Sequence, residues 1–378
     1  MNTMTIVLLD DELFLLKALQ RTINRIYPSA QVISVNEVDQ FWEVLKKNKN
    51  VDLVISDYLM PHVNGLDVLE RCVVENPYPV RVLLTGDTTL TTKLRSSNVV
   101  HTYLAKPFNQ EDLTLLFNNV AELKSLPFSH AIRRELGGMS SFPVYPLLLK
   151  QLNKLIDSGD FDLAKVSALV SKEPIVVAKL LQLANSAYLG FKGKTSSIEE
   201  AVSRLGTTIL LSITTSLFVV KNFQASITPA EHEQLLSVAT KYASCVKKFA
   251  KHVGMKQKEQ ALLFSVALLS FVGKLILLEG HKDQETTSGK CVTQEQQGIN
   301  YLHISAYVMK LWGHSTQICS LIMNLNTLQT PSNDLNASLF IVQQKLFNHQ
   351  TNQSLIECCQ HHGVSSSLYE AIGTFSCE

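Results

Sequence analysis

Short apolar runs rich in β-branched residues punctuate the first part of the chain: Thr5–Leu9, Gln31–Val35, Val51–Ile55, Val80–Leu84 and His101–Leu104. Each is bounded by polar or turn residues, the signature of a buried strand. Between and after them the apolar positions recur every three or four residues. That spacing predicts helices over Leu13–Ile26, Glu37–Lys47, Leu66–Val74 and Gln110–Leu123, with a more polar one over Thr88–Ser97. Asn109 stands where the last helix of this pattern, Gln110–Leu123, takes a side-chain cap. Such alternation implies a parallel sheet covered by helices on both faces.

The pattern changes after residue 124. Leu126–Met139 holds Pro127, Gly137 and Gly138 around the basic piece AIRREL and reads as a linker with a short helix inside. From Ser140 the periodicity is helical throughout: Val144–Asp157, Leu163–Ser171, Ile175–Ala187, then Ser197–Leu205 and Thr207–Val220 joined at Gly206. Glu231–His252, Glu259–Glu279, Gln294–Trp312, Thr316–Leu325, Leu335–Phe347 and a C-terminal helical stretch follow. Pro143 and Pro174 suit early helical positions, and His281–Thr293 is a polar, exposed loop. The expected organisation is an α/β domain over 1–123, a linker over 124–139, an all-α domain over 140–345 and a helical extension over 346–378.

Composition narrows the function classes. A 378-residue chain with 46% hydrophobic and 18% charged residues fits two or three globular domains. The net charge of +1 argues against a general nucleic-acid binder. Cut after Lys124, the first part carries −3 and the remainder +4, too little polarity to name a partner. Seven cysteines without a CxxC, and no secretory signal, predict a reducing, cytoplasmic setting. The longest apolar stretch, taken as Ile209–Val220, is interrupted by Ser212, Thr214, Thr215 and Ser216. A bilayer span needs about 20 apolar residues, so no membrane segment is expected.

The strand ends carry the chemistry. Thr5–Leu9 ends in Asp10 and Asp11, Val51–Ile55 in Ser56 and Asp57, Val80–Leu84 in Thr85 and Gly86, and His101–Leu104 leads to Lys106 and Pro107. In a doubly wound sheet of order 2-1-3-4-5, the first and third strands are neighbours at the switch point, where such folds bind ligands. Three carboxylates would converge there and repel one another unless a cation is bound; an all-oxygen set suits Mg²⁺. Lys106 adds a point charge and Thr85 a hydroxyl, and together they can hold the oxygens of a phosphoryl group in transit. Met60, Pro61 and Gly65 force a loop after Asp57, Gly65 by tolerating positive φ.

The motifs LLDDE at 8–12, DYLMP at 57–61, Gly65, TG at 85–86 and YLAKP at 103–107 resemble those of the receiver domain of two-component response regulators. The resemblance runs over residues 1–123. It implies a five-stranded receiver fold in which Asp57 accepts a phosphoryl group from a sensor histidine kinase or phosphotransfer protein. It also implies that Asp10, Asp11, Asp57 and the Leu59 backbone carbonyl hold Mg²⁺, that Thr85 and Lys106 contact the phosphoryl group, and that Tyr103 is the switch aromatic. On phosphorylation Thr85 would move towards the phosphate and Tyr103 would turn inward. The helix from Thr88, the last strand and the final receiver helix would then be remodelled to contact the linker and output half, or a second receiver. Asp87 departs from the small residues commoner in the family at this place and adds negative charge near the site.

In the second half, SIEEAVSRLGTTILLSITTSLF at 197–218 has helix-turn-helix spacing. Its second helix lacks the Arg, Lys, Asn or Gln that read base edges, so DNA binding is not expected. The stretch DSGDFDLAKVSALVSKEPIVVAKLLQLANSAYLG, with NSAY at 185–188 and SIEEAVSRLG at 197–206, resembles the HDOD domain, a helical signalling module related to HD-type phosphohydrolases. The HD enzymes carry a metal-binding His-Asp pair where this chain has Ser270 and Phe271. They carry an earlier His where it has Tyr242 and Ala243, and a later Asp where it has Gln343 and Gln344. The resemblance therefore implies an output domain without a metal site, acting by contact with a downstream protein. The alternatives are a phosphohydrolase or phosphodiesterase, and a binder of a nucleotide second messenger. Asn185 and Tyr188 read as structural hydrogen-bonders. His252, His303, His314, His361 and His362 lack metal-ligand spacing, with His314 suited to a helix-end cation.

Overall fold

The computed structural model of the chain describes residues 3–86, 99–139, 148, 151–152, 154–155, 162–185, 191, 193–219, 228–280, 300–330, 332–348 and 350–376. The expected helices over Thr88–Ser97 and most of Val144–Asp157, the loop His281–Thr293, and residues Asp87 and Tyr188 lie outside these.

Strands β1 (Thr5–Leu9), β2 (Gln31–Val35), β3 (Leu53–Asp57), β4 (Val80–Thr85) and β5 (Thr102–Ala105) form one parallel sheet in the order β2-β1-β3-β4-β5. The central strands β3 and β4 are buried along their whole length, as a sheet covered on both faces requires. The register pairs Leu9 with Ser56 and Asp57 with Leu84, which brings the C-terminal ends of β1, β3 and β4 level. Helices α1 (Leu13–Ile26), α2 (Val38–Lys47), α3 (Gly65–Glu75) and α4 (Gln110–Ser125) flank the sheet. Asn109 and Asp112 cap α4 reciprocally. Asp52, the polar interruption in the third run, anchors the opposite end of the sheet, accepting from the Thr5 backbone N–H and from Lys124 Nζ, each at 2.8 Å.

The segment read as a linker is a docked helix, α5 (His130–Gly138). Its Gly137 and Gly138 do not loosen the chain. A Cβ on Gly137 would come within 2.3 Å of the Pro77 carbonyl, so these glycines permit close packing against the α3–β4 loop. The ring of His130 stacks on Tyr78 with centroids 4.0 Å apart.

Everything described beyond α5 is helical. It comprises α6 (Leu163–Val170), α7 (Pro174–Ala184), α8 (Ile198–Val219), α9 (Pro229–His252), α10 (Gln257–Leu269), α11 (Val272–Gly280), α12 (Tyr301–Leu311), α13 (Thr316–Met323), α14 (Asp334–Phe347), α15 (Asn352–His361) and α16 (Ser366–Glu370). Gly206 interrupts α8 with φ 74° and ψ 170°, the break the sequence places there. The single helix expected over Glu259–Glu279 is instead two, α10 and α11, parted at Ser270–Phe271. The Ser305 hydroxyl from α12 serves the break: it donates to the Ser270 carbonyl at 2.7 Å and accepts from the Gly273 N–H at 2.7 Å. A Cβ on Gly273 would meet the Tyr301 carbonyl at 2.0 Å, so only glycine lets α12 approach. The run Gln257–Leu278, rather than Ile209–Val220, has the length and composition of a membrane span. Two-thirds of it (67%) is buried inside the helical half, as a core helix would be.

Candidate functional site

At the C-terminal edge of the sheet, Asp10 follows β1 and Asp57 ends β3; both are buried, whereas Asp11 faces solvent. Carboxylate oxygens from all three lie within 4.8 Å of one another. Lys106, just past β5, places Nζ 2.6 Å from Asp57 Oδ1 and 3.4 Å from Asp10 Oδ2. Its backbone N–H donates to the Thr85 carbonyl at 2.9 Å, so the end of β4 fixes the root of the lysine. Thr85 is buried there.

Burial drives the Asp10 carboxyl above its ordinary range, against the Glu12 N–H and the Lys106 charge, which hold it down. Burial alone would lower Lys106, but hydrogen bonding and charge from Asp57, then Asp10, outweigh it and raise the ammonium above its usual value. The crevice is therefore an anionic pocket with one cation already leaning into it. Three oxygen donors so close together, one exposed and two in a poorly solvated edge, are the donor set a hard divalent cation takes.

The turn after Asp57 is tight for a reason the sequence misassigned. Gly65 is not the residue at positive φ. That residue is His62, at φ 71°. A Cβ on Gly65 would fall 1.7 Å from the Asp57 carbonyl oxygen, so glycine here lets the first turn of α3 press against the end of β3. The Gly65 N–H donates to the Tyr58 carbonyl at 3.0 Å, and Leu59 directs its side chain outward, 69% exposed. Tyr103, the expected switch aromatic, is buried here at 8% exposure.

Residues 6–118 match the response regulator receiver domain family and residues 142–327 match the HDOD domain family. The chain is a receiver domain followed by an HDOD domain, the make-up of a response regulator. It is 27% identical over 115 residues to a chemotaxis protein CheY homolog of Campylobacter jejuni, covering 29% of this chain and 86% of that one. It is 33% identical over 92 residues to the probable transcriptional regulator ycf29 of Cyanophora paradoxa, covering 24% of this chain but only 43% of that one. Among solved structures, the signal receiver domain of an HD domain-containing protein from Pseudomonas fluorescens Pf-5 is 27% identical, with a TM-score of 0.30 over 32% of this chain and 89% of that one. The MmoQ response regulator of Methylococcus capsulatus is 14% identical, with a TM-score of 0.46 over 61% of this chain and 97% of that one.

In the HDOD half, the positions compared with HD metal ligands hold a packed aromatic cluster. Tyr242 sits with its ring 6.2 Å from Phe271 and 5.5 Å from Phe347, and its hydroxyl donates to the Leu339 carbonyl at 2.9 Å. Ser270 spends its hydroxyl on the Ala267 carbonyl at 2.7 Å. Gln343 donates to Asn326 and Gln344 accepts from Asn348. Asn185 is a structural hydrogen-bonder: its side chain accepts from Thr195 N–H and donates to Thr195 C=O, each at 2.7 Å. His314 is not a helix-end cation. It is buried with Nε2 3.1 Å from the Ala178 carbonyl, and burial pulls its pKa down to about 4.

The receiver and HDOD halves meet at the other end of β4 and β5, around Arg81, which the sequence reading passed over. Its signal was there: a lone arginine inside VRVLLT. The guanidinium is fully buried and donates to the carbonyls of Val99, Pro77 and Gly137. His101 Nδ1 accepts from the Arg81 backbone N–H at 3.0 Å, and Arg81 Nη2 lies 2.9 Å from His101 Nε2. Burial, with Arg81 adding to it, lowers His101 well below its ordinary value. From the HDOD side, Gln182 on α7 donates to the His101 carbonyl at 2.7 Å. Lys310 on α12 pairs with Glu122 on α4, and the Phe128 and Tyr307 rings lie 4.9 Å apart.

Proposed function

We propose that Asp57 is the phosphoacceptor of a phosphorelay and that the HDOD half passes the signal on by contact with a downstream protein, without catalysis of its own. The observation that carries the first part is the buried Asp57 carboxylate held 2.6 Å from Lys106 Nζ, with Asp10 and Asp11 beside it. One Asp57 oxygen attacks the phosphorus of a phosphohistidine in line, forming an acyl phosphate as the bond to the histidine nitrogen breaks. Asp10, Asp11, Asp57 and the Leu59 carbonyl would hold Mg²⁺, which supplies charge neutralisation for the transferring oxygens. Lys106 then follows the new negative charge from carboxylate to phosphoryl oxygen, and the Thr85 hydroxyl turns to the same group. The donor is a sensor histidine kinase or phosphotransfer protein, and the setting the cytoplasm.

The non-catalytic reading of the HDOD half is supported by what fills the HD positions. Phe271 cannot ligate a metal, and the hydroxyls of Tyr242 and Ser270, the Gln343 amide nitrogen and the Gln344 amide oxygen are engaged within the protein. The described part of the surface expected to respond to phosphorylation, α4 and β5, is in contact with the chain's own output half. That favours transfer within the chain over pairing with a second receiver, and the part of α8 after Gly206 carries no Arg, Lys, Asn or Gln to read bases. The domain limits of the sequence reading serve here too, except that α14 runs to Phe347, past the limit set at residue 345.

Treatment with acetyl phosphate and Mg²⁺, followed by reduction of the acyl phosphate and peptide mapping, should place the label on Asp57. Label at wild-type level in Asp57→Asn would overturn the assignment. The same preparation, assayed with Mn²⁺, Mg²⁺, Fe²⁺ and Ni²⁺ against nucleotides, cyclic dinucleotides and phosphodiesters, should show no turnover that depends on the HDOD half.

A further inference from the structure

The HDOD half contains a cleft that neither the phosphorelay nor the HD positions account for. It lies between α6, the start of α8, α9 and the start of α10, and encloses about 1000 Å³. On α9 its wall is formed by Thr240, Ser244, Lys247, Lys248 and Lys251. That spacing is one face of a helix, and Tyr242 lies on a different one. The cleft is therefore separate from the aromatic cluster that fills the HD positions.

Its chemistry is cationic and rich in hydroxyls. Lys247, Lys248 and Lys251 are joined by Lys258 from the first turn of α10. Two carboxylates, Glu199 and Glu200, line the cleft. Glu200 is already bound, by Arg204 at 2.6 Å and by the Thr195 hydroxyl at 2.7 Å, which leaves Glu199 beside Lys247, Lys251 and Lys258. The first residues of α6, α8 and α10, namely Leu163, Ile198 and Gln257, all border the same space, so their N-terminal partial charges add to the positive potential. The Ser167 hydroxyl, in a side chain 3% exposed on the α6 wall, makes no hydrogen bond among the described residues. An unused buried hydroxyl is costly unless something bonds to it. Phe264 offers the cleft's aromatic ring, with Lys247 Nζ 5.7 Å from its centroid.

We propose that this cleft binds a phosphate-bearing nucleotide, with the phosphates on the α9 lysines and the base against Phe264. The volume matches a nucleotide-sized ligand. Serine and threonine hydroxyls suit sugar and phosphate oxygens, and the apolar side chains of Leu163, Ile198 and Phe264 suit a base. The proposal is independent of Asp57, so its failure and the failure of the phosphorelay reading are separable.

The test is fluorescence anisotropy of the full chain with N-methylanthraniloyl-labelled ATP and GTP and a labelled cyclic dinucleotide, run in wild type and in Asp57→Asn. At least one probe should bind saturably, more weakly as salt rises, and be displaced by its unlabelled form. Lys247→Gln with Lys251→Gln should weaken binding about tenfold or more, since charge-assisted bonds are lost. Lys194→Gln, an exposed lysine outside the cleft, should leave it unchanged. Both altered lysines are exposed, so thermal unfolding should remain as in wild type; Ser167→Ala gives a second, uncharged variant expected to weaken binding. Three results would overturn the proposal: no saturable binding of any probe, equal affinity in the double variant, or displacement by a poly-glutamate peptide as effective as by the nucleotide.

Discussion

β4 lies between two cationic centres, one partly open and one fully buried, and they differ in the company they keep. At its C-terminal end Lys106 leans on Asp57 and Asp10, and their hydrogen bonds and charges overcome burial to raise its pKa. At its N-terminal end Arg81 sits among the Val99, Pro77 and Gly137 carbonyls and His101, and burial lowers its pKa to about 10. A cation paired with carboxylates in a partly open edge can exchange one anion for another, and that is a reaction centre. A cation caged by fixed carbonyl dipoles has no alternative partner, and that is a rivet. One end of the strand takes the signal; the other fastens α5 and the HDOD half to the receiver.

Substitution at the two ends should separate these roles, and the largest stability effect belongs to the rivet. Arg81→Leu takes a donor from three buried carbonyls and should cost about 3 kcal/mol or more, read as a lower urea midpoint. Lys106→Met removes a side chain that is 28% exposed and should cost less, about 1 kcal/mol, while abolishing the phosphorylation-dependent response. If Lys106→Met destabilises the fold more than Arg81→Leu does, the contrast between the two ends fails.

The receiver site was legible in the sequence because strand ends in a parallel sheet are set by the end of an apolar run, and Asp10, Asp57, Thr85 and Lys106 each follow one. The sheet order then fixes which ends are neighbours. The rivet was harder to read. Arg81 and, on α7, Lys179 are single cations inside apolar runs, VRVLLT and PIVVAKLLQLA, and periodicity alone treats such residues as noise. What they meet comes from carbonyls and rings distant in sequence. Gly137 and Gly138 were placed in a linker for the same reason: a glycine that admits a neighbouring backbone looks in sequence like one between domains. The break at Ser270–Phe271 was hidden because Ser305, which satisfies it, lies over 30 residues away.

The two ends should also respond differently to pH. Burial lowers His314 to about 4 and Lys179, whose ammonium lies 4.0 Å from the Trp312 ring centroid, to about 7. A depressed pKa means the unfolded chain binds the proton more tightly. Stability held by His314 is therefore present above about 6.5, its unfolded value, and lost as pH falls towards 4. For Lys179 the corresponding window runs from 10.5 down to about 7. His101, lowered well below its ordinary value, adds to the acid limb. Urea unfolding between pH 7 and 4.5 should thus show falling stability, and His314→Gln should flatten that slope. An unchanged slope in the variant would mean that the neutral buried imidazole is not what the acid limb reports.

The smallest expected effect tests whether the two ends communicate. Glu122 on α4 is 44% exposed and accepts from Lys310, which is 3% exposed and also donates to Thr316 Oγ1 at 2.7 Å. Glu122→Gln keeps a hydrogen-bond acceptor and removes only the charge, so the loss in stability should stay within about 1 kcal/mol. Acyl phosphate formation at Asp57 should be untouched, because Glu122 lies far along α4 from the crevice. Hydrogen exchange is the informative readout. Phosphorylation of the wild type should raise exchange at the C-terminal end of α4 and the adjoining ends of α12 and α13, as movement at Thr85 is relayed along β4 and β5. Glu122→Gln should already show part of that increase without phosphate, whereas Thr85→Ala should lose the phosphate-dependent part and keep the basal pattern. If Thr85→Ala responds like the wild type, the reaction centre and the rivet share a strand but not a signal.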